Sequence, residues 1–393
     1  MTIKFGVIGL GNRGSKFALH SLIPHAEIEV VMVNDVTGNH FELFENQGIA
    51  TTTDYRELLR NPQVEAVFIA TPDDTHGEIV LEAIKYQKHI ICEKPLEISE
   101  AKVAELEVAL STYQKVFLVG YVLRYAPLYA KAKELIAGGA IGEMFLANGV
   151  DHIDYGGYAF FHDWHRTQAK AHSLLLQKST HSLDILNWLI DGEPTQVAGL
   201  GGLEVFGEPG AIRKFGAPLT EPLNCRSCPI QYECEESLLN LKVHKGKEWQ
   251  VDWPDNCVFE SEIDVQDHQA LLINYQNKVK LTYSICHFSA YYRREFQFFG
   301  TKGELYFDDQ RNEIIVDDRL KAEKLTYKIV DSGGHSGGDD EMIQEFIRCM
   351  RQGGQPRSDL TSSASVTRLV LAAQESIDRN QIVTIQSGNH LRK

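Results

Sequence analysis

The sequence predicts an α/β protein with a doubly wound parallel sheet at its N-terminus, followed by an α+β domain on a large, mostly antiparallel open sheet. Over about the first 120 residues, short apolar β-prone runs alternate with helical stretches, which is typical of βαβ units. A glycine-rich turn directly follows the first of these runs. From residue 263 onward, β-rich runs come close together, and such spacing favours an antiparallel sheet.

The first domain is assigned to residues 1–122. Its strands are predicted over residues 3–9, 28–33, 64–70, 89–92 and 116–120, and its helices from the glycine turn to about Leu22 and over 75–86 and 99–111. Since strands and helices alternate, the strands are expected to be parallel.

The second domain is assigned to residues 123–393, with a cysteine-containing insert over about 201–262 that interrupts it. A helix is predicted near 127–137, a strand near 144–150, and a second helix over 182–190 that ends at Asp191-Gly192, a C-cap signal. Strands are then predicted over 270–275, 279–287, 295–299, 303–307, 313–316 and 324–330, and helices near 340–351 and 362–380 close the chain.

Composition argues against several classes of protein. Acidic side chains outnumber basic ones, 54 to 39, for a formal net charge of -15, so neither nucleic acid nor an anionic membrane is expected as a partner. No apolar run approaches the roughly 20 residues that cross a bilayer, and the first residues lack the pattern of a signal peptide. The seven cysteines do not form a disulfide framework, which favours a reducing, cytoplasmic compartment.

The glycine turn has the spacing of a dinucleotide-binding loop. Gly9, Gly11 and Gly14 follow a strand and open a helix at Asn12, and Asp35 lies 21 residues after Gly14. The first glycine permits the tight turn, the second lets the backbone approach a pyrophosphate, and the third lets helix and strand pack closely. The helix N-terminus supplies N–H groups to the phosphates. We therefore predict a Rossmann domain that binds NAD(P), with Asp35 accepting hydrogen bonds from ribose hydroxyls.

Asp35 also favours NAD over NADP, because a carboxylate repels a 2′-phosphate. The residues after it, Val36-Thr37-Gly38, include no arginine that would hold such a phosphate. Arg13 in the glycine loop is the residue that would contact one, so NADP stays open as the alternative cofactor.

Further motifs lie beyond the glycine loop: Thr71-Pro72 with His76, Glu93-Lys94-Pro95, and a helix that reads His181-Ser-Leu-Asp184-Ile-Leu-Asn-Trp188-Leu. Together they resemble the GFO/IDH/MocA family, which includes glucose–fructose oxidoreductase and inositol dehydrogenase. The resemblance extends over essentially the whole chain. It implies the same two-domain fold and an NAD(P)-dependent dehydrogenase that acts on CH–OH groups.

The resemblance also implies roles for individual side chains. Lys94 would lie near the nicotinamide and the substrate hydroxyl, where an amine can orient that hydroxyl and assist its deprotonation. A domain-joining salt bridge is the alternative role for Arg124, and packing as an ordinary aromatic is the alternative for Trp164. The residues implied to line the cofactor crevice are Thr71, Pro72, His76, Glu93 and Lys94, and those implied to face the substrate are Lys94, Arg124, Trp164, Arg166, His181 and Asp184.

The predicted catalytic helix departs from the family pattern at one position. Many members carry an aspartate four residues before the active-site histidine, where this chain has Gln177, followed by Lys178. A glutamine can form hydrogen bonds but cannot take a proton, so acid–base chemistry is assigned to Lys94, His181 and Lys178. His181 and Asp184 share a helix face, and Asp184 would orient the imidazole or brace the helix. A core histidine bonded to backbone is the alternative for His181.

The insert contains Cys225, Cys228 and Cys234, a Cys-x2-Cys pair and a third thiol. This spacing fits a partial zinc site, with Cys257 and His244 as candidate fourth ligands. An iron–sulfur cluster and simple free thiols are the alternatives.

The activity predicted from these motifs is hydride transfer between nicotinamide and a carbinol carbon of a sugar or polyol. Two alternatives remain: a glycoside hydrolase or lyase that oxidises its substrate transiently with bound NAD, and a non-catalytic NAD-binding regulator. We also expect a homodimer or homotetramer that associates through the open face of the C-terminal sheet, because helices on one side leave the other to be buried.

Overall fold

The computed structural model describes residues 2–240, 253–330 and 337–386. Packing divides the chain into two compact units. The first is built mainly from residues up to Glu134 together with Ile329–Arg368, and the second from Leu135–Lys328 together with Leu369–Ile385. The first unit therefore extends past residue 122, where the sequence places the boundary, and also takes in residues from near the C-terminus.

A six-stranded parallel sheet forms the centre of the first unit. Its strands lie in the order β3-β2-β1-β4-β5-β6, where β1 is Ile3–Ile8, β2 Ile28–Asn34, β3 Ala50–Thr52, β4 Ala66–Ile69, β5 His89–Cys92 and β6 Phe117–Val119. Because β1 pairs with both β2 and β4, the strand order reverses beside it. Open α/β sheets bind ligands at such a switch point, beyond the carboxyl ends of the strands.

The helices of the described chain are α1 (Asn12–Phe17), α2 (Phe41–Glu45), α3 (Tyr55–Arg60), α4 (His76–Lys85), α5 (Glu100–Leu110), α6 (Pro127–Ala137), α7 (Gln168–Ala171), α8 (Thr180–Ile190), α9 (Gly207–Phe215), α10 (Gly338–Gln352) and α11 (Leu360–Arg379). Phe346 of α10 packs on Phe5 of β1 with 5.8 Å between ring centroids, and both lie in one buried apolar cluster. A helix assigned from the sequence to the second domain thus completes the core of the first unit.

A nine-stranded sheet forms the second unit, in the order β14-β13-β12-β11-β7-β10-β9-β8-β15. Neighbouring strands are antiparallel except for the parallel pair β7 and β10. The strands are β7 (Met144–His152), β8 (Pro194–Gly202), β9 (His268–Tyr275), β10 (Lys280–Cys286), β11 (Arg293–Gly300), β12 (Gly303–Asp308), β13 (Glu313–Asp318), β14 (Glu323–Lys328) and β15 (Val383–Thr384).

The two faces of this sheet differ. On one face, α8 packs closely enough that a Cβ added at Gly149 would lie 2.8 Å from Cδ1 of Leu186. On the other face, Leu146, Leu200 and Leu272 are 40%, 67% and 62% exposed. The open face therefore presents apolar side chains to its surroundings.

The predicted fold class is confirmed. Strands β3, β8 and β15 are absent from the prediction. β8 contains Gly199, Gly201 and Gly202, and glycine disfavours strands; the strand forms because it pairs with β9 from Pro194 to Gly202. Within the described residues, no helix has the length and apolarity to cross a lipid bilayer.

Candidate active site

The glycine loop connects β1 to α1 at the carboxyl edge of the parallel sheet. Gly9 has a φ of +90°, a left-handed value that favours glycine. At Gly14, an added Cβ would lie 1.9 Å from the carbonyl oxygen of Gly9, whereas at Gly11 it would meet nothing within 4 Å. The fold itself therefore requires the first and third glycines, while the second borders open space that a pyrophosphate can occupy.

Asp35 lies just beyond β2 and beside this loop. Its carboxylate accepts hydrogen bonds from the N–H of Leu10 at 3.0 Å and from the N–H and hydroxyl of Thr37 at 2.9 and 2.5 Å. Burial raises the pKa of Asp35, but the hydrogen bonds from Thr37 and Leu10 outweigh burial, and the pKa is lowered overall. Asp35 is thus an anion, and its remaining lone pairs can accept from ribose hydroxyls.

Arg13, the residue that would contact a 2′-phosphate, is engaged by two acids of its own unit. Its Nε donates to Glu93 at 2.6 Å, and its terminal nitrogens donate to Asp339 at 2.6 and 3.2 Å. Its guanidinium also lies over the ring of Phe17, 4.6 Å from the centroid. Both carboxylate side chains are only 10% exposed, and charge-assisted bonds of this kind are strong. These contacts oppose any contact between Arg13 and a phosphate.

The loops after β4 and β5 are joined by a buried histidine. His76, at the start of α4, is 0% exposed, and its Nδ1 lies 2.7 Å from the carbonyl oxygen of Pro95 and its Nε2 3.0 Å from that of Thr71. Thr71 also accepts a hydrogen bond from the Thr75 hydroxyl at 2.7 Å. The Thr71-Pro72 and Glu93-Lys94-Pro95 segments therefore meet at one edge, with His76 as the connector between them.

Lys94, between Glu93 and Pro95, is half-buried. Burial lowers the pKa of its amine, the charges of Asp73 and Glu93 oppose that shift, and the charge of Arg13 adds to it. A lower pKa increases the unprotonated fraction of the amine at a given pH, and that form can accept a proton. Lys94 thus has the chemistry of a general base.

The other predicted catalytic residues lie around the start of α8 in the second unit. Gln177 and Lys178 belong to a turn, Leu175–Ser179, that runs directly into α8. His181 is half-buried in the first turn of α8, and Asp184, three residues on, is 1% exposed. The helical spacing places His181 and Asp184 on the same face.

Two tyrosines that the sequence does not single out accompany Lys178. The ammonium nitrogen lies 5.2 Å from the centroid of the Tyr155 ring and 5.5 Å from that of Tyr292, within the range of cation–π attraction. Lys178 itself is 8% exposed. The two rings therefore hold a buried cation next to the predicted catalytic helix.

A buried ion pair, also unpredicted, supports the start of α8. Asp151 on β7 is 0% exposed and accepts hydrogen bonds from the hydroxyls of Ser182 at 2.6 Å and Tyr283 at 2.8 Å. Arg294 on β11, 5% exposed, lies 3.4 Å from Asp151 and donates to Ser182 at 3.0 Å. Ser182 directly follows His181, so this network fixes the backbone that carries the imidazole.

His287 is a further buried imidazole in the second unit. It is 0% exposed, and neither ring nitrogen has a hydrogen-bond partner in the described structure. Burial, with a smaller contribution from the charge of Lys178, lowers the pKa of His287 to about 3, so the ring is neutral at physiological pH. Trp164, a predicted substrate residue, is half-buried and stacks on His165 with 3.8 Å between ring centroids.

Two predicted substrate residues are bonded within their own units. Arg124 is 3% exposed and donates to the carbonyl oxygen of Arg357. Arg166 is 4% exposed, donates to the carbonyl oxygen of Cys257 at 3.0 Å and forms an ion pair with Glu260. Both guanidinium groups therefore stabilise the fold of the unit to which they belong.

The insert brings Cys225, Cys228 and Cys234 to one cavity, and Cys257 lines the same cavity. The seven cysteines of the chain are free thiols. Among the described residues, no three His, Cys, Asp or Glu side chains stand in a ready-made arrangement for a metal ion. His244, the other candidate fourth ligand, lies outside the described residues.

Two protein-family models match the chain. One, described as the oxidoreductase family with an NAD-binding Rossmann fold, matches residues 3–121. The other, described as the GFO/IDH/MocA C-terminal domain, matches residues 129–306. Together they extend over most of the sequence.

The chain is also similar to individual proteins. The oxidoreductase YteT of Bacillus subtilis is 25% identical over 354 residues, which are 83% of this chain and 81% of the relative. The inositol 2-dehydrogenase of Rubrobacter xylanophilus is 34% identical over 205 residues, so that match spans 50% of this chain and about half, 54%, of the relative. A levoglucosan dehydrogenase solved with NADH and levoglucosan has the same fold, with a TM-score of 0.75 at 18% identity over 98% of this chain and 100% of that one.

The buried pair under α8 leads to a stability prediction. Asp151→Asn should lower the free energy of unfolding by roughly 2 kcal/mol, because Arg294 loses one of its two carboxylate partners and keeps only Asp309. Glu295→Gln is the matched control on β11, since Glu295 pairs with Arg293 at a site where both side chains are about a quarter exposed, and an exposed pair contributes less than about 1 kcal/mol. Urea unfolding measures both variants, and equal losses would contradict the role given to Asp151.

Proposed function

The chain belongs to the GFO/IDH/MocA family of NAD-binding oxidoreductases, and we propose that it transfers a hydride from a carbinol carbon of a sugar or polyol to NAD. It is a dehydrogenase acting on CH–OH groups. The observation that carries the proposal is the placement of Lys94. This half-buried amine has a lowered pKa, and its neighbour Glu93 is bonded at 2.6 Å to Arg13 in the glycine loop.

The glycine loop and Asp35 fit a dinucleotide. Gly11 borders open space, and no side chain caps the first turn of α1. The N–H groups of that turn can therefore donate to phosphate oxygens. Asp35 offers a fixed negative charge for ribose hydroxyls. Gly9, Gly11 and Gly14 would hold the pyrophosphate of NAD, and its nicotinamide would supply the hydride-accepting chemistry.

The side chains of the protein accept the proton that the substrate hydroxyl loses when the hydride is transferred. Lys94, in its unprotonated form, accepts the proton of the substrate hydroxyl as the carbon–hydrogen bond breaks. Asp73 and Glu93 stabilise the ammonium that forms, since both raise the pKa of Lys94 against the effect of burial. The resemblance also assigns proton transfer to His181, since Gln177 offers no carboxylate for it.

The second unit supplies the groups that we assign to a polyol. Lys178 presents a cation held by two tyrosine rings, and His287 presents two ring nitrogens without a partner in the described structure. A buried imidazole without a partner gains most from a hydroxyl ligand, because its ring nitrogens otherwise stay unsatisfied. The names of the similar inositol and levoglucosan dehydrogenases point to the same substrate class.

We also propose that the protein is a homodimer or homotetramer in a reducing, cytoplasmic setting. The open face of the nine-stranded sheet, with Leu200 and Leu272 more than 60% exposed, is the apolar surface that a second copy would cover. The free thiols support a reducing compartment.

The proposed activity is tested with a panel of inositols, aldoses, anhydrosugars and glycosides. Stoichiometric formation of NADH with a ketone or lactone product is the expected result. Cleavage of a glycoside without net NADH would instead establish the alternative of transient oxidation by bound NAD. Binding of NADH with no turnover of any member of the panel would favour a regulator.

The cofactor preference is the first prediction from this assignment. The ratio of kcat/KM for NAD over NADP should exceed about 10, which corresponds to 1.4 kcal/mol, because Asp35 repels a 2′-phosphate and Arg13 is held by Glu93 and Asp339. Asp35→Ser should reduce that ratio. A wild-type enzyme that prefers NADP would overturn the assignment of both residues.

Lys94→Met should reduce kcat by at least about 100-fold, because it removes the proton acceptor. NADH binding, measured by fluorescence titration, should stay nearly unchanged. In the wild type, kcat should rise with pH through the lowered pKa of Lys94, since only the unprotonated amine is active. Lys85→Met, at an exposed lysine on α4 that pairs with Glu82, is the control and should keep full activity. Near-normal turnover in Lys94→Met would refute the proposed role.

His181→Ala should also lose at least about 100-fold in kcat, the lower range for removal of a general base. The wild-type rate should fall at acid pH as the imidazole of His181 takes up a proton, and the variant should lack that limb. His268→Ala, at a partly exposed histidine bonded to Asp267, is the control. A His181→Ala enzyme that keeps both the rate and the pH profile would transfer the role to Lys94 or Lys178.

A further inference from the structure

Four thiols of the second unit share one small cavity. Cys225, Cys228, Cys234 and Cys257 all line it, together with His162. The cavity volume is about 20 Å³, room for about one water-sized sphere. A single ion fits this space, whereas a polynuclear cluster does not.

The backbone, and not chance proximity, brings Cys257 to the other thiols. Asn224 and Asn256 form an antiparallel bridge. On either side of it, the N–H of Cys225 donates to the carbonyl oxygen of Asp255 at 2.8 Å, and the N–H of Cys257 donates to the carbonyl oxygen of Leu223 at 2.8 Å. The two cysteine-bearing segments are therefore paired in register.

His162 forms a wall of the cavity and ties its two sides together. Its Nδ1 lies 2.5 Å from the carbonyl oxygen of Asn256 and its Nε2 lies 2.8 Å from that of Glu236. These carbonyls neighbour Cys257 and Cys234 in sequence. Both ring nitrogens are thus taken up by backbone oxygens, and the sulfur of Cys225, at 4.0 Å, lies beside the ring. His162 is a positioning residue here, which leaves the four thiols as the donor set.

The apolar packing around these thiols is small. Cys225 and Leu238 form its buried centre, with Tyr158 and Trp253 partly buried against it. Small segments with little core commonly depend on a metal or disulfides for stability, and these thiols are free.

We propose that Cys225, Cys228, Cys234 and Cys257 bind one structural Zn²⁺ in a closed four-thiolate site. Four sulfur donors around one ion are typical of structural zinc. No position is left for water, so the ion stabilises the insert and takes no part in hydride transfer. Coordination requires the thiols to turn toward the centre of the cavity, because the described side chains do not yet form a coordination shell.

The test measures metal in the full-length protein, purified without chelator and analysed for zinc and iron by mass spectrometry. About one zinc per chain is expected, as for a single closed site. Cys228→Ser and Cys257→Ser should each lose most of that zinc. Cys286→Ser, at a thiol of β10 outside the cavity, is the control and should retain it.

A second measurement uses wild-type protein only, and it therefore tests the site even where the cysteine variants fail to fold. Wild-type protein loaded with Co²⁺ in place of zinc should show the intense sulfur-to-cobalt charge-transfer band and the visible bands of a tetrahedral thiolate site, and removal of the metal should lower Tm. Metal-free wild-type protein with four reactive thiols, disulfides among these cysteines, or iron with inorganic sulfide would each overturn the proposal.

Discussion

Three polar side chains tie together the strand ends on which the candidate cofactor site is built. Asp35, after β2, accepts the N–H of Leu10 in the loop after β1. Arg13, in that same loop, bonds to Glu93 after β5, and His76 bridges the carbonyls that follow β4 and β5. Parallel strands deliver their carboxyl ends to one edge, but the loops beyond them are irregular and need such bonds to keep one conformation. These bonds fix the position of Lys94, because its neighbours Glu93 and Pro95 both take part in them.

In the second unit, a buried ion pair supports the start of α8. Asp151 and Arg294 come from different strands and meet at Ser182, at the start of α8. Burying two charges is costly unless their remaining bonds are satisfied; here the hydroxyls of Ser182 and Tyr283 donate to one oxygen of Asp151, and Arg294 lies 3.4 Å from the other. These contacts hold the first turn of α8, and with it the backbone of His181, in place. Both units therefore place a half-buried basic side chain, Lys94 in one and His181 in the other, next to a network of buried polar side chains.

Much of this could be predicted from local sequence. The roles of Gly9 and Gly14 follow from steric rules, and the strand–turn–helix pattern around them is visible in hydrophobic periodicity. The support network could not be predicted, because Asp151 and Arg294 lie far apart in sequence and carry no motif. The pairing of Cys257 with Cys225 depends on a single β-bridge between distant segments. The resemblance assigns Arg166 and Arg124 to the substrate, and their burial and backbone acceptors depend on tertiary packing that no local motif encodes. The glycine-rich β8 likewise forms through its partner β9 and not through its own propensity.

We propose that this protein moves a hydride from a carbinol carbon to nicotinamide, with Lys94 accepting the proton. A polyol substrate deuterated at the reacting carbon tests this step, with one equivalent of NAD and mass spectrometry of the product cofactor. We expect the reduced cofactor to carry the deuterium, the oxidised polyol to have lost it, and both to appear in equal amounts only when Lys94 is present. Reduced cofactor without deuterium, or a product that keeps the label while NAD is unchanged, would contradict it.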